Sequence, residues 1–151
     1  MTAVDELRPA VVTFRVDGLP VAQGSVRAFV AGGRAVVTYG RGGTLGSWRQ
    51  AIAARAADQL GDRPPVDGPV RVVARFGLRR PRSHYGARGI LPRHASELVT
   101  TAPDLDKLAR ALLDALTGVV YRDDRQVVEL VLAKRYDDRP GLDVELELLE
   151  D

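Results

Sequence analysis

The chain has no cysteine and only two lysines among its 151 residues. The lack of cysteine excludes disulfide bonds, thiolate metal sites and cysteine nucleophiles. No stretch has the length of apolar chain that a membrane span requires, and the N-terminus lacks a basic segment followed by a long apolar run. We therefore expect a soluble, unexported protein without a membrane partner. With 45% hydrophobic residues, the chain is long enough for one domain with a core, and we expect residues 1–151 to form it.

Charge is distributed unevenly along the chain. Residues 1–100 contain 15 Lys and Arg against 7 Asp and Glu, a net charge of +8, whereas residues 101–151 contain 7 against 13, a net charge of −6. The stretch from Arg71 to Arg93 has seven arginines and no acid. This pattern predicts contact with a polyanion, because the forked guanidinium suits phosphate. The alternative is that arginine serves here only as a solvated surface charge.

Hydrophobic periodicity and turn residues predict the elements of the fold. We expect strands at residues 11–16, 70–78, 126–136 and 142–149, a hairpin within 28–39 split by Gly32-Gly33, and helices at 48–60 and 106–117. Ser47 to Gln50 matches a capping box, and the glycine-rich YGRGGTLGS before it is predicted to be a flexible turn, since no Gly-Lys-Ser/Thr completes a phosphate loop. We expect a long basic loop at residues 79–102, directly after the strand at residues 70–78. The order of elements indicates an α+β fold, with a mixed sheet and two main helices packed on it.

The acidic block PDLDKLARALLDALTGVVYRDD, residues 103–124, has two interpretations. In the first, Asp104 completes a capping box with Thr101, and Asp104 and Asp106 then point to nearly opposite sides of a helix. In the second, Pro103 keeps the chain extended and the two carboxylates face the same way. Asp124 can join them, because seven extended residues cover about 23 Å and the helix is only about 16 Å long. Converging carboxylates of this kind select magnesium or manganese.

The same block resembles the RusA family of Holliday-junction resolvases. The similarity lies in Pro103 to Asp106, Asp114 to Gly118, Tyr121 to Gln126 and a strand that ends at Lys134, with weaker likeness in the Gly18 to Pro20 turn and in RPRSHYG. It implies a RusA-like homodimer that nicks four-way or related branched DNA with Mg²⁺, or Mn²⁺ in its place, in the cytoplasm of a bacterium or phage-infected host. It also implies that Asp104, Asp106 and Asp124 bind the metal and that Asp123 shapes the turn.

Two positions depart from the family pattern. Lys107 stands where the family often has asparagine, and Arg110 stands where it commonly has a catalytic lysine, so either cation is a candidate to contact the scissile phosphate. Asp114 lies too far along the helix to be a ligand, and we expect it to pair with Arg110. The residues predicted to contact DNA are Arg79, Arg80, Arg82, Arg88, Arg93 and Lys134, with Tyr85 available for stacking and the two histidines assigned to solvent or phosphate. The prediction from sequence is thus a magnesium-dependent, structure-selective endodeoxyribonuclease. The alternative is a branched- or single-stranded-DNA-binding protein that cuts nothing and whose acidic cluster is structural.

Overall fold

The computed structural model describes residues 10–24, 26–31, 34–39 and 42–150. The strands are β1 (Val12–Asp17), β2 (Val26–Ala31), β3 (Arg34–Tyr39), β4 (Val70–Leu78), β5 (Tyr85–Gly86), β6 (Gly89–Ile90), β7 (Val127–Tyr136) and β8 (Gly141–Leu148). The α-helices are α1 (Gly42–Leu60) and α2 (Leu105–Leu116), and three 3₁₀ turns are η1 (Arg82–His84), η2 (Pro92–His94) and η3 (Asp124–Gln126). An α+β architecture is therefore confirmed.

Four of the strands form one mixed sheet in the order β1, β8, β4, β7. The β1–β8 and β8–β4 pairs are antiparallel, whereas β4 and β7 run parallel, with Val72 level with Leu130 and Phe76 level with Lys134. Parallel neighbours need a crossover connection, and residues 79–126 provide it. The remaining strands form two small hairpins, β2–β3 and β5–β6.

Both helices cover one face of the sheet and enclose the core. In α1 the residues Trp48, Ile52, Ala56 and Leu60 are buried at the helical spacing expected from the sequence. They pack with the buried side chains of β1, β4 and β8, which alternate along each strand. The other face of the sheet carries charge: Asp143 and Glu145 are exposed, as predicted for the last strand. Helices and strands thus form two layers with the core between them.

The start of α1 differs from the sequence prediction. This helix begins at Gly42, so Ser47 lies inside it and the predicted capping box there is wrong. The prediction of a flexible turn is also wrong for residues 42–46, which are helical, while Gly40 and Arg41 lie outside the described residues. Leu45 is buried in the core, and this packing accounts for a helix that extends through a segment of low helix propensity. The Gly32-Gly33 turn of the predicted hairpin also lies outside the described residues.

The other elements agree closely with the predicted ones. The bounds of β4 are those predicted, and α2 begins and ends one residue earlier than predicted, with Gly118 just beyond it at a φ of 80°. A positive φ favours glycine, which explains why the helix stops there. None of the helices in the described ranges is long and apolar enough to cross a membrane. The extent of the domain, residues 1–151, stays a prediction.

Candidate active site

Helix α2 is oriented by its leucines. Leu108, Leu112 and Leu116 recur every four residues and are fully buried, which fixes one face of the helix against the core. The opposite face begins with Asp106 and continues one turn later with Arg110, and both residues are exposed. Packing of the apolar face therefore places the acidic start of α2 at the surface of the molecule.

The backbone at the start of α2 combines features of both interpretations. Asp104 is the N-cap residue and has an extended backbone, with φ −70° and ψ 138°, while its carbonyl accepts the first helical bond from Leu108 N at 3.1 Å. Its side chain makes no capping hydrogen bond, so the part of the first interpretation in which the carboxylate caps its own helix is wrong. Asp106 lies in the first helical turn. Leu105 is already helical and packs against the core, so the chain is extended only up to Asp104.

Two cations contact the carboxylates of this region. Lys107 Nζ lies 3.8 Å from Asp104 Oδ2, which is a pair between residues three apart on one helix. Arg110 Nη1 lies 3.0 Å from Asp124 Oδ2 and 3.7 Å from Asp114 Oδ1. The expected pair between Arg110 and Asp114 is therefore present. Asp124 lies in η3, after the end of α2. Its contact with Arg110 places its carboxylate beside the face of α2 that carries Asp106.

Asp124 is held in place by its neighbours. It opens η3, whose N-cap is Asp123: the Asp123 carboxylate accepts from Arg125 N at 2.9 Å, and Gln126 Oε1 accepts from Asp123 N at 3.0 Å. The bond from the Arg125 backbone, together with the Arg125 guanidinium, holds the pKa of Asp123 below its usual range. Asp123 thus has the turn-shaping position expected for it.

A buried tyrosine joins this turn to α2. Tyr121 is fully buried, and its hydroxyl donates to Leu113 O at 2.8 Å. Burial is also the main reason that the pKa of Tyr121 is raised. The hydrogen bond satisfies the polar end of a side chain that otherwise packs in the core. Because Tyr121 lies three residues before Asp124, this contact fixes the return of the chain toward the helix.

An open cleft of about 410 Å³ lies beside these residues. It is lined by Gln23, Gly24, Asp106, Lys107 and Arg110. Gln23 N donates to Lys107 O at 3.1 Å, which attaches the segment after β1 to the first turn of α2. The Gln23 side-chain oxygen Oε1 is buried and has no hydrogen-bond partner. A buried acceptor without a donor is uncommon, which makes Gln23 a candidate functional residue.

The arrangement brings the predicted residues to one region but not into a closed cage. Within the described ranges no group of three or more His, Cys, Asp or Glu side chains has metal-holding geometry. Asp104 and Asp124 instead contact the cations Lys107 and Arg110. The cleft is thus lined by one carboxylate, Asp106, and by two cations, and each of these cations contacts a further carboxylate.

Comparison with known proteins identifies the family. A model of the family described as endodeoxyribonuclease RusA matches residues 17–147, which is most of the chain. The chain belongs to the RusA family. The family is described as an endodeoxyribonuclease, an enzyme that cuts within a DNA strand. Nuclease activity is therefore indicated for this chain. The match includes the acidic block, β7 and all but the last residue of β8.

One curated relative of this RusA-family chain is the "Uncharacterized protein YqaN" of Bacillus subtilis (strain 168). The two sequences are 29% identical over 135 residues, which cover 88% of this chain and 93% of the relative. The similarity therefore extends over nearly the whole of both proteins.

In this RusA-family chain, Lys134 lies near the end of β7, and its side chain contacts the segment that precedes Asp104. Its Nζ donates to Thr101 O at 2.8 Å and to Pro103 O at 2.9 Å, and the side chain is half-buried. The Ala102-Pro103 peptide bond between these carbonyls is cis. Sequence reasoning predicted that Lys134 faces DNA, whereas these two hydrogen bonds direct its ammonium to the segment before Asp104.

The long loop is ordered by its own side chains and by β7. Arg80 lies over the ring of Tyr136, 4.7 Å from its centre, and donates to His94 O and Ser96 O. The rings of His84 and His94 stack with their centres 4.0 Å apart. Desolvation is the main reason that the pKa of His84 is lowered, and positive charge at His94 and Arg80 adds to it.

The predicted DNA-contacting arginines divide into two groups. Arg80 is half-buried and engaged within the protein, as described above. Those with exposed side chains are Arg79, Arg82, Arg88 and Arg93. Tyr85, on the short strand β5, is exposed as well. The surface of the loop is thus cationic, with one aromatic ring accessible.

Sequence reasoning missed two residues of this region. Gln23 follows the predicted Gly18 to Pro20 turn but carries no motif of its own, and its importance depends on contact with α2, more than eighty residues later. Tyr136 reads as an ordinary strand residue, yet its ring supports Arg80. The only sequence signal for Gln23 was its position shortly after the Gly18 to Pro20 turn, which is similar to a turn in the RusA family.

Proposed function

We propose that this protein is a magnesium-dependent, structure-selective endodeoxyribonuclease that nicks four-way DNA junctions or related branched DNA. The observation that supports this most directly is the arrangement of acids and cations around the start of α2. Asp104 and Asp106 lie at and just inside the helix N-terminus, and Asp124 lies 3.0 Å from Arg110, one turn further along the same helix. The open cleft beside them has room for a phosphate of a DNA backbone.

Magnesium, or manganese in its place, fits the donor chemistry of this site. Carboxylate and amide oxygens are the ligands that such hard cations select. Asp104, Asp106 and Asp124 would hold the cation, and Gln23, whose buried Oε1 has no hydrogen-bond partner, lines the cleft together with Asp106. A cation bound there would supply activation of a water molecule and neutralisation of charge on the phosphate.

Lys107 and Arg110 contribute positive charge on the same side of the helix. In the protein alone they balance Asp104 and Asp124. Both cations line the cleft, so a DNA phosphate in it would meet an ammonium and a guanidinium. Arg110 stabilises developing charge on that phosphate but stays protonated, because guanidinium does not readily release a proton. Lys107 places an ammonium in the same cleft.

The exposed arginines of the long loop provide a contact for the arms of branched DNA. Arg79, Arg82, Arg88 and Arg93 are solvent-accessible and have no acidic neighbour in the sequence between them. Contacts to backbone phosphates position DNA without reading its bases. Affinity of this kind falls steeply with salt, by about 0.9 in the logarithmic slope for each phosphate neutralised.

We propose that the active form is a homodimer formed through β7. This strand is an edge of the sheet, and Val128, Leu130 and Val131 are 59%, 39% and 47% exposed on it. An edge strand with exposed apolar side chains is a template for pairing with a second strand. Two copies related by a two-fold axis would pair their β7 strands antiparallel and present two equivalent sites, as a four-way junction requires.

Cleavage of a synthetic four-way junction tests the proposed activity. We expect the full chain with Mg²⁺ to nick the junction, and Asp104→Asn and Asp124→Asn to abolish nicking while retaining binding, since each replaces a carboxylate by an isosteric amide. Asp58→Asn is the matched control, because Asp58 lies exposed on α1. It makes the same chemical change away from the cleft and is expected to leave nicking intact.

The outcomes separate the candidate functions. If the wild-type protein binds junctions but never nicks them over a range of divalent ions, the nuclease proposal fails and the non-catalytic DNA-binding alternative stands. If linear duplex and junction are cut at equal rates, the selectivity for branched DNA fails while the nuclease activity stands.

A further inference from the structure

We propose that Lys134 is a positioning residue that holds the Asp104–Asp106 segment in its active conformation, rather than a residue that contacts DNA. This rests on the proposed nuclease function. The juxtaposition that carries it is the ammonium of Lys134, on strand β7, within hydrogen-bond distance of Thr101 O and Pro103 O. These two carbonyls flank the residue pair that leads directly into Asp104.

The strand and the loop are in contact over several residues. Tyr136 N donates to Glu97 O at 2.8 Å, and Leu98 forms an isolated antiparallel bridge with Arg135. The side chain of Lys134 adds hydrogen bonds to Thr101 O and Pro103 O, further along the loop. The loop is therefore fastened to the edge of the sheet from Glu97 until it enters α2.

Lys134 also lies on the appropriate face of the sheet. It is level with Phe76 of the parallel neighbour β4, and Phe76 is fully buried beneath the helices. Paired residues of adjacent strands direct their side chains to the same face, so Lys134 points toward the layer that contains α2. Lys134 is half-buried, and two backbone carbonyls accept hydrogen bonds from its ammonium, which direct it to the loop.

The chemistry of the acceptors explains why a lysine is suited to this position. Residues 101–103 belong to neither a helix nor a strand, so regular secondary structure does not supply donors to their carbonyls. An ammonium carries three N–H donors and can serve two carbonyls at once. A guanidinium is planar, larger and differently directed, so arginine cannot reproduce these two bonds at the same separations.

Two substitutions distinguish a positioning role from a DNA contact. Lys134→Met removes the donors, and Lys134→Arg retains the charge but not the geometry. A positioning role predicts that both variants lower the single-turnover nicking rate at saturating enzyme by about 10–100-fold, as expected for groups that orient ligands. It also predicts an unchanged salt slope of junction binding. A DNA contact predicts instead that Lys134→Arg retains full activity and that Lys134→Met loses about 0.9 of the slope.

Two measurements without DNA test the same inference independently of activity. We expect both variants to bind Mn²⁺ more weakly in a titration followed by electron paramagnetic resonance, again by about 10–100-fold. We also expect faster hydrogen exchange in the peptide covering residues 101–108. Arg135→Met is the matched control, because it removes the neighbouring cation on the same strand without touching either carbonyl, and its exchange should equal that of the wild type.

Each result has one meaning. Unchanged hydrogen exchange at residues 101–108 in both Lys134 variants overturns the positioning role, whatever the activity. Wild-type protein that never nicks DNA refutes the proposed function, and the exchange measurement still decides whether Lys134 orders the segment. A global loss of structure in Lys134→Met, seen by circular dichroism, would leave Lys134→Arg to decide, because that variant conserves charge and most of the side-chain volume.

Discussion

Replacement of Arg110 by glutamine is expected to change metal binding and cleavage in opposite directions. Arg110 Nη1 lies 3.0 Å from Asp124 Oδ2, and the two side chains are 46% and 30% exposed. Ion pairs as exposed as this contribute about 0.2–1 kcal/mol, because water screens the charges. A divalent cation that takes the Asp124 carboxylate must overcome that pair, so its removal frees at most about 1 kcal/mol.

This energy sets the size of the change in metal binding. Since about 1.4 kcal/mol corresponds to a factor of ten, Arg110→Gln should tighten Mn²⁺ binding to the free protein by at most about fivefold. The same substitution removes positive charge from the cleft in which we propose that the phosphate is cut. Loss of one group that stabilises developing charge slows a reaction by about 10²–10³-fold. We therefore expect tighter metal binding together with much slower nicking.

The assays are a Mn²⁺ titration without DNA and single-turnover nicking of a junction at saturating Mg²⁺. Arg122→Gln is the matched control, because Arg122 lies close to Asp124 in the chain but its guanidinium contacts Asp67. The control should leave both quantities at the wild-type level. If Arg110→Gln weakens Mn²⁺ binding as well as nicking, Arg110 holds Asp124 in position and the competition reasoning is refuted.

Two further predictions concern the long loop and the dimer. The pKa of His84 is lowered in the folded protein, so the order of the loop is complete above about pH 6.5 and decreases as the pH falls. Hydrogen-exchange protection of residues 80–96 should be lower at pH 5.5 than at pH 7.5. His84→Gln should remove this pH dependence, and equal protection of the wild type at both pH values would contradict the prediction. Light scattering should give a dimer for the wild type and a monomer for Val131→Lys. Thr13→Lys, on the other edge strand, should remain dimeric, and its dissociation instead would place the interface at β1.

Local pattern predicted much of the fold. The alternation in β4 and the leucine spacing in α2 were sufficient because burial of one face determines both elements. The start of α1 was not predictable in this way, since Leu45 becomes a core residue only when the sheet is present. Propensity alone favours a turn at Gly42 and Gly43, and tertiary packing overrides it.

The candidate site was predicted unevenly for a similar reason. The acids Asp104, Asp106 and Asp124 and the pair of Arg110 with Asp114 follow from spacing within one segment and from resemblance to a family. The contacts of Gln23 and Lys134 with the start of α2 join parts of the chain that are distant in sequence. The hydrophobic periodicity of the sequence cannot predict such contacts, because they depend on the register of strands and on the path of a loop.

The parallel pairing of β4 with β7 has a consequence for the order of events during synthesis. All the carboxylates of the site lie in the crossover between these two strands, and Lys134 lies on the second. A nascent chain acquires its N-terminal parts first, and pairing between distant segments forms late. A ribosome-bound chain that has not yet released β7 therefore contains every acid of the proposed site but not the sheet edge that arranges them. The proposed site would then be complete only after β7 has paired with β4, and fragments that end before Val127 should not nick a four-way junction.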